Sequence, residues 1–206
     1  MPPSQRIRRR ASQSVLVSLC WLGAAAAAEP TTRVRGIIER VDGPALTIAT
    51  REGPTVRLTL TPDVRIGALI PADLGAAGKG SFIGTAAVPQ ADGRLKAQEV
   101  HILPEAMRGV GEGHRAWDLT PDSTMTNATV EGTVSDAAGR VLTLSYPGGK
   151  QELVVPPGTP IVTLAPGDAS LLQPGNHVFL GATQSPDGNL TASRITVGKD
   201  GLVPPM

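Results

Sequence analysis

The chain has 206 residues, 24 of them glycine and 19 proline, with 19 Lys+Arg set against 18 Asp+Glu. Near-neutral charge with no Lys/Arg cluster argues against the basic face by which proteins hold nucleic acid. A single cysteine, Cys20, excludes an internal disulfide and any cysteine-rich metal site.

Residues 1–28 read as an export signal. Arg6, Arg8, Arg9 and Arg10 precede an apolar run from Val15, and the following GAAAAAE offers small residues for cleavage near Ala28. The apolar run is about fourteen residues long, short of the roughly twenty that cross a bilayer as a helix, so no membrane span is expected after cleavage. Leu19 before Cys20 does not fit a lipoprotein signal, and RRRASQ lacks the apolar pair that follows the arginines of a twin-arginine signal. Cleavage removes four arginines and Cys20, leaving 15 Lys+Arg against 18 Asp+Glu and a net charge near −3. The expected location is the periplasm or the exterior.

Beyond residue 28 the chain repeats itself. VRGIIE…LTI, from Val34 to Ile48, returns as VEGTVS…LTL, from Val130 to Leu144, at an offset of 96. IPAD is matched by APGD and SFIGTA by VFLGAT, and the closing QADGRLKAQEVHI and SPDGNLTASRITV correspond at an offset of 95. In each closing segment the apolar residues (Leu95, Ala97, Val100, Ile102; Leu190, Ala192, Ile195, Val197) break strict alternation once. An extra residue of this kind predicts a β-bulge, near Gln98-Glu99 and again near Ser193-Arg194. Each copy reads as three strands, a short helical piece, then two strands joined by an Asp-Gly turn at Asp92-Gly93 or Asp187-Gly188.

That order predicts an all-β protein of two tandem five-stranded OB-like barrels. The expected boundaries are residues 29–103 and 128–198, with a packed connector over 104–127 and a tail over 199–206. Barrels of this size have small cores, so the two are expected to touch. The tail VGKDGLVPPM is expected to strap the second barrel or to dock a partner.

The VxGxI…VDG…LTI opening, ADGRLKAQEVHI, PEAMRGVGEGHRAWDL, TMTNATVEG and VGKDGLVPPM together resemble an exported bacterial family catalogued as domain of unknown function 5666. The resemblance implies a signal peptide and small β-barrel modules, and carries no established activity or catalytic residue.

The connector gathers the candidate chemistry. His101, Glu105, Glu112 and His114 could supply nitrogen and oxygen ligands to a divalent metal, zinc first, with Met107 or Met125 available to copper. Their spacing requires the glycine-rich loop to fold back. The structural alternative makes the stretch a joint, with Trp117, Arg108 and Arg115 anchoring it to the barrels. Nucleophile elbows, zinc-protease helices and phosphate loops are absent from the sequence. A hydrolytic set of His114, Asp118 and Ser123 would have to assemble from one linker, where preorganisation is hard to hold. Phe82, Trp117, Tyr146 and Phe179 are too few aromatics for a nucleic-acid stacking groove. The first expectation is therefore a non-enzymatic exported binding protein, without a cofactor, whose partner is an envelope protein or a small ligand. The second is a metal-binding accessory protein using the connector.

Overall fold

The computed structural model describes residues 31–205 except Glu52, so the expected export signal lies outside the described residues. The first copy contributes β1 (Thr31–Asp42), β2 (Ala45–Thr50), β3 (Val56–Pro71), β4 (Phe82–Pro89), β5 (Leu95–Ala97) and β6 (Val100–Ile102). Connector strand β7 (Gly113–Ala116) follows, then β8 (Thr124–Asp136), β9 (Gly139–Tyr146), β10 (Gly149–Val155), β11 (Ile161–Pro166), β12 (His177–Gln184) and β13 (Leu190–Gly198) of the second copy. Among the described residues no helix is long and apolar enough to cross a membrane.

The protein is all-β and contains a closed five-stranded barrel, but one copy does not build it alone. β12, β1, β2 and β3 pair in that order, and β13 closes the circuit by pairing with both β3 and β12. A second circuit of pairings runs β4–β5–β10–β9–β8 and returns to β4. The first three strands of each copy thus close against the last strands of the other. The expectation that residues 29–103 and 128–198 each close a barrel is corrected accordingly.

The reason lies in β3. Its 16 residues, about 50 Å at strand rise, carry the chain past its own barrel before the Leu74–Ala76 3-10 turn hands it to the second circuit. In the second copy β10 and β11 together take the same path.

The two halves are nevertheless related. With the offset of 95, the parallel pair Thr59↔Thr191 maps onto Val154↔Lys96, and Ile66↔Ile195 onto Ile161↔Val100. Leu69, paired antiparallel with Leu164, maps onto its own partner, so the β3–β11 ladder carries the pseudo-twofold axis. The 3-10 turns correspond as well: the Asp73 carboxylate accepts from the Gly75 N–H (2.5 Å) and that of Asp168 from Ser170 (2.8 Å).

Both expected bulges form. The amides of Gln98 and Glu99 donate to the single carbonyl of Ala86, at 2.8 and 3.3 Å, and the β13 register against β3 shifts between Ala192 and Arg194. Two adjacent donors sharing one acceptor is what an inserted residue produces. The Asp-Gly turns hold as expected, with Gly93 and Gly188 at φ 84° and 85°, where a Cβ would be strained.

Two cores follow the exchange. Val34, Ile38, Leu46, Ile48 and Leu58 of the first copy bury against Val178, Leu180, Ile195 and Val197 of the second. Ile83, Leu95 and Val100 of the first copy bury against Val130, Leu142, Leu144 and Leu153 of the second. In the tail Pro204 is buried, and with Val203 it borders a hollow shared with Gly36, Ile37 and Ala49 of the first copy and His177 and Val178 of the second.

Candidate functional site

The connector is less a linker than a cover. After the 3-10 turn Glu105–Met107, β7 adds to the edge of β8, and Trp117 is fixed by its backbone N–H donating to the Ser123 carbonyl (2.8 Å). Arg108 ties it down by donating to Gly80 O (2.8 Å), with its guanidinium 5.8 Å from the Phe82 ring. Beneath the cover, at the seam of the two circuits, lies a crevice of about 180 Å³. Connector residues Met107, Val110, Arg115 and Trp117 form one wall. Leu164, at the pseudo-axis, also lines it, together with Phe179, Arg194, Thr196 and His101. A groove of about 390 Å³ continues from it, sharing Met107, Val110, Leu164, Arg194 and Thr196.

His101 enters this crevice backed by a buried carboxyl. The bulge turns Glu99 to the same side of the strand, where it is 0% exposed and His101 4%. His101 Nε2 lies 2.5 Å from Glu99 Oε2, while Glu99 Oε1 is buried without a hydrogen-bond partner among the described residues. Trp117 Nε1 is likewise buried and unpartnered. Such groups are rare in folded proteins and call for a specific explanation.

Arginines surround the tryptophan. The guanidinium of Arg33 lies 4.0 Å from the Trp117 ring centre and that of Arg115 5.8 Å. Arg35, 6% exposed, stands 5.4 Å from the Phe179 ring and donates to Asp118 at 2.6 Å. Burial would raise the Asp118 carboxyl, but the hydrogen bond and charge of Arg35, helped by Arg33, hold it below the usual range. Burial, and then the charge of Arg33, lower the pKa of Arg115, whose guanidinium, among the described residues, donates only to the Gly111 carbonyl (2.8 Å).

The four expected metal ligands are not brought together, which corrects that reading. His101, Gly84, Asn127 and Gly113 occupy one row across β6, β4, β8 and β7, so three strand spacings, about 14 Å, separate the His101 strand from β7. His114, one residue along, faces the other side, where its Nδ1 is 2.8 Å from Thr126 Oγ1 and its ring stacks near Tyr146. Glu105 is held by two hydrogen bonds from Arg108, which lower its pKa, and Glu112 is exposed. Among the described residues no group of three or more His, Cys, Asp or Glu is placed to hold a metal ion. Met107 and Met125 both line the crevice, beside His101 rather than His114. The hydrolytic set is also dispersed: Ser123 Oγ donates to the Thr120 carbonyl (2.8 Å), and Asp118 is committed to Arg33 and Arg35.

Sequence reasoning missed Glu99, Phe179, Leu164 and Arg194. The signal that could have found two of them is the repeat itself, since Arg194 and Thr196 stand where Glu99 and His101 stand in the first copy. A larger hollow of about 480 Å³ opens at the Pro156–Thr159 turn, but it is shallow and its Asp136 is already paired with Arg94 at 2.8 Å.

Fold and crevice together define an all-β protein in which a closed barrel meets further strands at a seam holding buried, unpartnered polar groups. Neither family models, curated proteins nor solved structures give a significant match to the chain.

Proposed function

We propose that the chain is an exported, non-enzymatic binding protein of the bacterial envelope, two OB-like barrels with exchanged strands whose seam takes a small ligand. The observation that carries this reading is the crevice under the connector, lined by His101 and by Trp117, whose Nε1 is buried without a hydrogen-bond partner among the described residues. Polar atoms left so are satisfied when a ligand enters, and apolar walls with a few convergent polar groups are the usual make-up of a small-molecule site. The dispersal of His114, Asp118 and Ser123 supports a binding role over a hydrolytic one. The resemblance to the domain of unknown function 5666 family agrees with export and adds no activity.

Two measurements test the reading. Intact-mass analysis of protein from the periplasmic fraction is expected to find an N-terminus at Glu29; an uncleaved chain retained in the cytoplasm would overturn export. A thermal-shift screen of small molecules is expected to find a stabiliser of the native chain that loses its effect on Val110→Trp, which fills the rim of the crevice at a position 46% exposed. Equal shifts in both proteins, or no stabiliser at all, would count against the seam.

A further inference from the structure

Resting on the seam reading, we infer the chemical class of its occupant: a small organic anion, its apolar body laid along Trp117, Phe179 and Leu164 and its acidic head held by Arg115 and Arg194. Three arginines line the continuous groove, these two and Arg65, and among the described residues no aspartate or glutamate lines its narrow or its wide part. In a chain with 18 acidic residues against 19 basic, such an all-positive lining is a local choice of charge.

The carboxylates nearest the groove are already engaged, Glu99 by His101 and Asp118 by Arg33 and Arg35. Arg194 makes no side-chain hydrogen bond or ion pair among the described residues, and Arg115 meets only a backbone carbonyl. A guanidinium offers several donors in a planar fork suited to a carboxylate or phosphate, so two of them without an acid partner form a receptor for one. The same pair makes the crevice a poor site for a cation, despite the thioethers of Met107 and Met125. Leu103, Leu164 and Val110 have no polar atom to offer, and burying an apolar body against them adds affinity that a bare inorganic ion cannot gain.

Isothermal calorimetry on the purified full chain tests the class with three probes: octanoate, its uncharged counterpart octan-1-ol, and inorganic phosphate. Octanoate is expected to bind saturably at one site, octan-1-ol at least about tenfold more weakly, and phosphate without saturation. Arg115→Met with Arg194→Met is expected to reduce octanoate affinity by at least about tenfold. Should that double variant fail to fold, Val110→Glu, at an exposed rim position, is expected to weaken octanoate while leaving octan-1-ol unchanged. Equal affinity for octanoate and octan-1-ol would overturn the anion while leaving the seam site standing. Saturable binding of phosphate alone would overturn the apolar body, and no binding by any probe would overturn this inference and weigh against the seam reading as well.

Discussion

Removing the His101 side chain should destabilise the protein far more than its size suggests. Glu99 is wholly inaccessible to solvent; among the described residues its side chain meets only His101, at 2.5 Å, and its second oxygen has no partner. In His101→Leu the apolar volume is largely kept, but the Glu99 carboxyl is left buried with neither oxygen satisfied. Breaking a buried pair in this way costs about 3–5 kcal/mol. For a folded unit of this length each kilocalorie moves the midpoint by roughly 2–4 °C, so the expected fall in Tm is about 6–20 °C. Glu99→Leu with His101→Leu removes both polar groups and should recover most of the loss, because a buried ion pair replaced by apolar side chains of similar volume is often neutral. Urea unfolding of the two single variants and the double variant, followed by circular dichroism, gives the coupling directly. A cost below about 1 kcal/mol for His101→Leu, or additive single effects, would refute the reasoning that the bulge buries a carboxyl on one partner.

Three further outcomes follow from the geometry. A Cβ on Gly36 would lie 2.1 Å from the Ala49 carbonyl oxygen, so Gly36→Ala should cost about 1–3 kcal/mol in urea unfolding, and wild-type stability would contradict the close β1–β2 crossing. Asp73→Ala and Asp168→Ala remove equivalent caps and should each cost about 0.5–2 kcal/mol; a loss at one turn and none at the other would contradict the pseudo-symmetry. Asp118, lowered in the folded state, contributes stability that is present above the ordinary carboxylate pKa and is lost as pH falls through its lowered value. Being about half exposed, it should make Asp118→Asn only about 0–1 kcal/mol less stable at pH 7, and the difference should vanish in acid; a difference growing below pH 4 would reverse the sign.

Much of this architecture was legible in residue order because it rests on local rules. The duplicated openings, the Asp-Gly turns and the broken alternation of Leu95–Ile102 and Leu190–Val197 each specify a local conformation, and each forms. Strand exchange was not legible, for a physical reason. Both copies present the same apolar faces at the same spacing, so β1 can satisfy its alternation against β12 as well as against β4, and pattern alone does not choose between them. The deciding element is the length of β3, where Asp63 and Arg65 suggest an exposed break rather than a strand running on to Pro71. The candidate site was half legible. Trp117, Arg115 and His101 do meet at the crevice, whereas Glu112 and His114 were grouped with His101 by nearness in sequence that two intervening strands undo, and Glu105 is taken by Arg108. The burial of Glu99 and Arg35 comes from tertiary packing and has no signature in the sequence.

The account depends on the exchange of strands between copies, since the crevice exists only where the two circuits meet. Backbone nuclear Overhauser contacts in the purified protein test it most directly. Cross-strand contacts between Arg35 and Phe179, and between Thr85 and Thr126, are predicted. Contacts joining β1 to β4 and β8 to β12, each copy closed on itself, would contradict it.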